Sequence, residues 1–170
     1  MKKLSLILFS LLFLLIQSNL SISAEKIIIG NAKVIDGDSI KIGSKKIRLF
    51  GIDAPEKKQK CKKITLGFFI FNFQKEYACG LNSTKFLKKK IHNREVKCKY
   101  DSMDFYKRFL SICFYGELDI NQWMVRNGQA IAYRKYSKKY VLDENYAREN
   151  KVGIWKGSFT KPEKWRRIMN

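Results

Sequence analysis

The sequence predicts an α+β fold that is mainly β: a five-stranded Greek-key barrel of the OB type with about three flanking helices. Its elements run in the order expected of such a barrel, with three strands, a helix, two further strands and then helices. The strands are short, and closure into a barrel protects the edges of short strands. The 170 residues are 45% hydrophobic, which is typical of a globular chain that can bury one core.

Residues 1–24 have the pattern of a secretory signal peptide. Two lysines precede an apolar run at 4–16, and small residues follow up to Ala24. The run is shorter than the roughly 20 residues that span a bilayer. We expect Sec-type export, cleavage near Ala24 and a secreted or periplasmic protein, with an uncleaved N-terminal anchor as the alternative. Residues 25–170 would then form a single domain with a basic C-terminal tail.

The first three strands are predicted at 27–35, 39–42 and 45–52, which are rich in β-branched and other apolar residues. Asp36-Gly37-Asp38 separates the first two strands, and Pro55 ends the unit.

The next segment is harder to assign. A basic loop is predicted at 57–63, and the aromatic insert 64–76 contains four phenylalanines. The insert either covers the outside of the domain or forms part of a binding surface, and both roles stay open. A helix is predicted at 80–91, with a basic last turn that suits a helix C-terminus.

Two strands, predicted at 95–100 and 109–115, carry two of the four cysteines. In an exported chain, four cysteines favour two disulfides. A zinc site is disfavoured, because there is no C-x-x-C pair and only one histidine, His92. Three connectivities are possible; a hairpin in which facing residue numbers sum to 211 would place Cys98 opposite Cys113. The favoured pairs are therefore Cys61–Cys79 and Cys98–Cys113.

The C-terminal part is predicted to be helical at 119–127 and 138–151, followed by the basic tail 151–170. No internal repeat or linker divides the chain, so we expect one domain and a monomer.

The charge of the chain indicates a polyanionic partner. Thirty-five Lys and Arg face 15 Asp and Glu, a formal net charge of +20. Nucleic acid, an anionic cell-wall polymer and a lipid surface would all suit this charge. The single histidine excludes enzymes that pair two histidines for acid–base catalysis.

Acidic residues are scarce, and several stand at strand ends. Asp38 precedes the second strand, Asp53 and Glu56 follow the third, and Asp104 lies near Arg108. Such carboxylates either form salt bridges or bind a hard cation. Calcium prefers carboxylate, carbonyl and water oxygens, so Asp38, Asp53, the Ala54 carbonyl and a water on Glu56 are candidate ligands. Each motif alone is also a common turn or strand exit.

Two arginines accompany these carboxylates. Phosphodiester hydrolysis adds negative charge to a group that is already anionic, and a guanidinium donates two parallel hydrogen bonds to phosphate. Arg48 lies five residues before Asp53, and Arg108 opens a strand. The other six arginines are predicted to be surface groups without a carboxylate cluster beside them, except that Arg148 lies in a charged helix: Arg94, Arg126, Arg134, Arg148, Arg166 and Arg167.

These motifs together resemble the staphylococcal nuclease (thermonuclease) family. The matching stretches are VIDGDS at 34–39, IRLFGIDAPE at 47–56, DFYKRFL at 104–110, GQAIAYRKYS at 128–137 and GIW at 153–155. The resemblance implies an OB-fold, Ca²⁺-dependent endonuclease that cuts DNA and RNA and leaves 3′-phosphates. It implies metal binding by Asp38, Asp53 and the Ala54 carbonyl, water positioning by Glu56, phosphate binding by Arg48 and Arg108, and nucleotide contacts by Tyr106 and Tyr133.

The chain departs from the family at several positions. Ala54 replaces a threonine, Lys107 replaces a glycine, the segment after Glu56 is longer, and the type member lacks these cysteines. The alternative function is a non-catalytic nucleic-acid-binding module of the same fold. Such modules have lost acids or arginines that this chain keeps, which favours the enzyme.

Overall fold

The computed structural model describes residues 25–68 and 71–169, with backbone alone at 64–68 and 71–73. The predicted signal peptide, and the side chains of most of the aromatic insert, lie outside the described residues. Among the described helices, none has the length and apolar character to cross a bilayer.

A closed mixed barrel of five strands forms the centre of the molecule, which confirms the predicted OB fold. Its strands run β3–β2–β1–β7–β8, and a parallel β3–β8 pairing closes it. The strands are β1 Ile27–Val34, β2 Ser39–Ile42, β3 Lys45–Leu49, β4 Ile52–Asp53, β5 Cys61–Phe68, β6 Phe71–Tyr77, β7 Glu95–Met103, β8 Phe109–Tyr115, β9 Leu118–Asp119, β10 Ile131–Ala132 and β11 Gly157–Ser158. The helices are α1 Cys79–Ile91, α2 Ile120–Arg126, α3 Val141–Glu149 and α4 Pro162–Met169, with a 3₁₀ helix at Gly153–Lys156.

The barrel interior is apolar because alternate residues of each strand point inward. Ile40, Ile47 and Leu49 are fully buried there, and Leu87 and Ile91 of α1 belong to the same core. At Phe50-Gly51 the predicted third strand breaks, and β4 instead pairs with β10. Gly51 adopts a φ of 77°, in the left-handed region that favours glycine, and this turn separates β3 from β4.

Both favoured disulfides are present. Cys98 faces Cys113 in the β7–β8 ladder, and their side chains are bonded inside the core. The numbers of facing residues sum to 211, as predicted, as far as Tyr100, after which a bulge shifts the pairing by one residue. Cys61–Cys79 joins β5 to the start of α1.

Besides the broken third strand, three further predictions of local structure are wrong. Residues 61–63 begin strand β5 instead of ending a basic loop, because β5 pairs with both β6 and β11. The helix predicted at 138–151 is only Val141–Glu149, since turns occupy its ends. The basic tail contains β11 and α4, because its backbone pairs with β5 before the last helix begins.

Candidate functional site

One open cavity of about 800 Å³ lies at the mouth of the barrel. The turn before β2, the end of β3, the β7–β8 turn and helix α4 all contribute to its wall. Its lining includes Asp38, Arg48, Glu56, Arg108, Tyr133 and Arg166. Asp53 has no exposed surface and lies directly behind this wall, in contact with two of the arginines.

The turn at 36–38 places Asp38 beside β4. The backbone N–H of Asp38 donates to the Asp36 carboxylate, and the N–H of Leu49 donates to the Asp38 carbonyl. A Cβ at Gly37 would lie only 2.7 Å from that of Ala54, so glycine permits this close approach. Asp38 Oδ2 then accepts a 2.7 Å hydrogen bond from the Ala54 N–H.

Arg48 joins the two predicted metal ligands. Its Nη1 contacts Asp38 Oδ1, and its Nη2 lies 2.9 Å from Asp53 Oδ1. Burial lowers the pKa of Arg48, an effect that the neighbouring Asp53 opposes. The guanidinium therefore neutralises carboxylates that are only 5% (Asp38) and 0% (Asp53) exposed.

Arg108, also in the cavity lining, is held by Asp104. Its Nε and Nη2 lie 2.8 and 2.7 Å from Asp104 Oδ2. Oδ1 accepts from the backbone N–H groups of Arg108 and Tyr106. Burial would raise the pKa of Asp104, but the hydrogen bonds from Arg108 outweigh it and lower that pKa. Asp104 thus fixes the direction of Arg108.

A third arginine reaches the site from α4, and sequence reasoning missed it. Arg166 Nη1 lies 2.9 Å from Asp53 Oδ1 and 2.8 Å from Glu56 Oε1, and Nη2 lies 3.2 Å from Asp53 Oδ2. Burial lowers the pKa of Arg166, but the hydrogen bonds to Asp53 and Glu56 outweigh it and raise that pKa. The prediction that Arg166 is a surface group without a carboxylate cluster is wrong.

Four other arginines of that set also pair with a carboxylate: Arg148 and Arg167 pair with Glu144 and Glu163 of their own helices, and Arg134 and Arg126 pair with residues of α3. Arg134 pairs with Glu144 at 2.6 Å and Arg126 with Asp143 at 3.3 Å. Both arginine side chains are about half exposed, and neither lines the cavity. These ion pairs therefore hold α3 in place and do not contribute side chains to the cavity wall.

Aromatic side chains surround the mouth. Tyr106 is 75% exposed, and Tyr133 is half-buried, with its pKa raised by burial and by the nearby Asp53. Phe105, 96% exposed, and Tyr136, in edge contact with Tyr133 at 4.8 Å between ring centroids, line the same cavity. Neither Phe105 nor Tyr136 was a predicted site residue, although both lie within the matched stretches 104–110 and 128–137.

The donor set at this site fits a hard cation. The Arg48 guanidinium contacts both Asp38 and Asp53, so oxygens of these two carboxylates lie close enough to share one positive ion. The N–H of Ala54 donates a hydrogen bond to Asp38, which keeps Ala54 beside the two carboxylates. Within 25–68 and 71–169, no cluster of three or more Asp, Glu, His or Cys side chains surrounds a potential metal position. Backbone carbonyl and water oxygens would have to complete the coordination shell, as is common for calcium.

Most of the chain, including most of the site, is similar to known proteins. A family model described as "Staphylococcal nuclease homologue" matches residues 46–157, which include every element of the site except Asp38 and α4. A succinoglycan biosynthesis protein of Rhizobium meliloti is 32% identical over 136 residues, 78% of this chain and 67% of its own. A Haemophilus influenzae protein named "Uncharacterized endonuclease" is 31% identical over 153 residues, 85% of this chain and 76% of its own. An Escherichia coli O157:H7 protein of the same name is 35% identical over 130 residues, 72% of this chain and 73% of its own.

Proposed function

Since the chain belongs to the staphylococcal nuclease family, we propose that it is a secreted or periplasmic, Ca²⁺-dependent endonuclease that hydrolyses DNA and RNA and leaves 3′-phosphates. The observation that carries the proposal is the convergence of Asp38, Arg48, Asp53 and Arg108 around one cavity. The relatives named as endonucleases support phosphodiester hydrolysis as the reaction.

Arg48 and Arg108 would both bind the scissile phosphate. Hydrolysis builds negative charge on the phosphoryl oxygens, and fixed guanidinium donors stabilise that charge without reorganisation. Arg48 is held by buried carboxylates and Arg108 by Asp104, so both donors are preorganised. We assign phosphate binding to these two side chains.

Asp38, Asp53 and the Ala54 carbonyl would hold the cation. When bound, Ca²⁺ supplies a Lewis acid for a phosphoryl oxygen. Glu56 is partly exposed at the cavity wall and would orient the attacking water and accept its proton. As the water oxygen bonds to phosphorus, the bond from phosphorus to the 5′-oxygen would break, the 5′-oxygen would leave as a hydroxyl after taking a proton from solvent, and the phosphate would stay on the 3′ side.

Tyr106 and Tyr133 would flank the nucleotide, because aromatic rings at the mouth stack on bases of any sequence. The net charge of +20 would attract the polyanion from a distance. The two disulfides suit an oxidising compartment and support export. We further propose that residues 1–24 are removed as a signal peptide and that 25–170 act as one monomeric domain.

The test is digestion of supercoiled plasmid DNA and of an RNA transcript, each with Ca²⁺ or with a chelator. We expect both nucleic acids to be cut in Ca²⁺ alone, and 3′-phosphate ends in the products. Glu56→Gln is the matched control, because it keeps the size of the side chain and removes its basic oxygen. Intact substrates in both conditions, together with retarded migration in a gel, would instead support the non-catalytic binding module.

A further inference from the structure

Helix α4 brings a positive charge to the carboxylates that would bind the cation. Resting on the proposed function, we propose that Arg166 is a built-in competitor of the metal: it neutralises Asp53 and Glu56 in the metal-free protein and so limits the affinity for Ca²⁺ until substrate is present. Three hydrogen bonds of 2.8–3.2 Å join the Arg166 guanidinium to these two carboxylates.

The competition follows from the hydrogen bonds that the Asp53 carboxylate already accepts. Its Oδ1 accepts from Arg48 and from Arg166, each at 2.9 Å, and its Oδ2 accepts from Arg166 at 3.2 Å. A cation that uses these oxygens shares them with two guanidinium groups and is repelled by both. Unpaired buried carboxylates are costly, so the metal-free protein retains both arginines at these oxygens.

Arg166 is the arginine that can leave. Its side chain is 32% exposed and its partner Glu56 is 34% exposed, whereas Arg48 is only 12% exposed and bridges two buried carboxylates. A guanidinium released from Asp53 and Glu56 stays in the same cavity, which the phosphate would occupy. Metal and phosphate binding are therefore expected to be mutually favourable, because the phosphate gives Arg166 an alternative partner.

The helix that carries Arg166 is anchored to the site. Gln59 has no exposed surface; its Oε1 accepts from the Glu56 N–H at 3.2 Å, and its Nε2 donates to the Thr160 carbonyl at 2.6 Å. Pro162, at the first turn of α4, is also buried. Because this anchor holds the start of α4 close to Glu56, the exchange requires movement of the Arg166 side chain alone.

The test is calorimetric titration of the metal-free, full mature protein with Ca²⁺ alone, without nucleic acid. R166Q should lower the Kd for Ca²⁺ by about tenfold or more, on the scale of the charge-assisted hydrogen bonds that no longer compete. R167Q is the matched control: Arg167 is the next residue of α4 and pairs with partly exposed Glu163, so its loss removes the same charge without freeing Asp53 or Glu56. Its Kd should stay within about twofold of the wild-type value.

Equal Kd values for R166Q and R167Q, or a weaker affinity in R166Q, would overturn the inference. If R166Q fails to fold, R166K replaces it: the shorter side chain lacks the planar fork that reaches Asp53 and Glu56 together, so R166K should still lower the Kd. If the wild-type protein binds Ca²⁺ and cuts DNA but R166Q has the same Kd as R167Q, the inference about Arg166 is wrong and the proposed function stands. Absence of both Ca²⁺ binding and cutting in all variants refutes the proposed function as well.

Discussion

Arg48 and Arg108 have the same proposed task in different surroundings. Arg48 bridges two buried carboxylates, so its removal leaves buried charge unpaired, a change that costs about 3–5 kcal/mol. Arg108 is 29% exposed and pairs with Asp104, itself at the cavity wall. Arg108 is therefore the position where catalysis can be separated from folding.

Arg108→Ala should lower kcat/KM about a hundredfold or more, the scale of losing one preorganised donor to the transition state. The free energy of unfolding should change by less than about 1 kcal/mol, because the pair it breaks is partly exposed. Steady-state kinetics and urea denaturation measure the two effects. Arg94→Ala, an exposed arginine bonded to the Tyr115 hydroxyl, should leave activity unchanged. Parallel losses of activity and stability in Arg108→Ala would indicate a structural role.

Lys107 occupies a backbone conformation that suits glycine. Its φ is 57°, and its N–H donates to the Asp104 carbonyl in the turn that presents Arg108. Lys107→Gly should raise the free energy of unfolding by about 0.5–1 kcal/mol, because the left-handed conformation strains a residue with a Cβ. Urea denaturation measures the gain, and the slope of the free energy of unfolding against urea concentration should stay unchanged. Lys107→Ala keeps the Cβ and should show no gain; a more stable alanine variant would contradict the explanation.

The residues of the site differ in how far the sequence could predict them. Asp38, Arg48, Asp53 and Glu56 stand at strand ends in short motifs, so local spacing and the family resemblance were sufficient to find them. Arg166 is 110 residues from Glu56 and stands beside Arg167 in a helix with no distinguishing motif. Only the packing of α4 against the barrel mouth separates the two arginines.

At the scale of elements, one buried amide fixes α2 against the barrel. Asn121 has no exposed surface; its Nδ2 donates to the Phe50 and Ser111 carbonyls at 2.9 and 3.0 Å. Its Oδ1 accepts from the Cys113 N–H at 3.2 Å. The side chain thus joins a helix, strand β8 and the turn that leads into β4, the strand that carries Asp53.

Asn121→Ala should lower the free energy of unfolding by about 2 kcal/mol or more, because the Cys113 N–H and the Phe50 carbonyl lose a partner, while the Ser111 carbonyl keeps the N–H of Phe50. Thermal and urea unfolding measure this loss. Asn82→Ala, at an exposed position of α1, is the control and should change stability by less than about 0.5 kcal/mol. A loss below about 1 kcal/mol in Asn121→Ala would mean that water replaces the amide.

Elements were predictable where the apolar pattern has a clear period. Alternating residues in β1 and the regular spacing in α1 gave nearly the observed bounds. The β5–β6 hairpin was not predicted, because its nearly continuous apolar run from 64 to 71 has no alternation. Strand β11 has two residues and exists through pairing with β5, a tertiary contact that local sequence does not encode.

At the scale of the whole molecule, charge is divided between surface and site. The chain carries a net +20, yet Asp38 and Asp53 are buried at the barrel mouth and neutralised by arginines. Closure of the barrel produces this arrangement, because parallel pairing of β3 with β8 sets Arg48 opposite Leu110, two residues from Arg108. The order of elements indicated the barrel, but only the closed structure shows which basic residues face the acids.

The positive surface should make nucleic-acid binding strongly dependent on salt. For single-stranded DNA, each phosphate contact contributes about −0.7 to the slope of log K against log salt concentration, so about five contacts give a slope near −3.5. Fluorescence anisotropy of a labelled oligonucleotide with Glu56→Gln measures this slope without cleavage. Adding Lys161→Gln and Lys164→Gln, at exposed positions around the start of α4, should reduce its magnitude by about 1.4, while arginine at both positions should preserve it. A binding constant independent of salt would contradict an electrostatic role for this surface, and an unchanged slope in the glutamine variant would place the contacts away from α4.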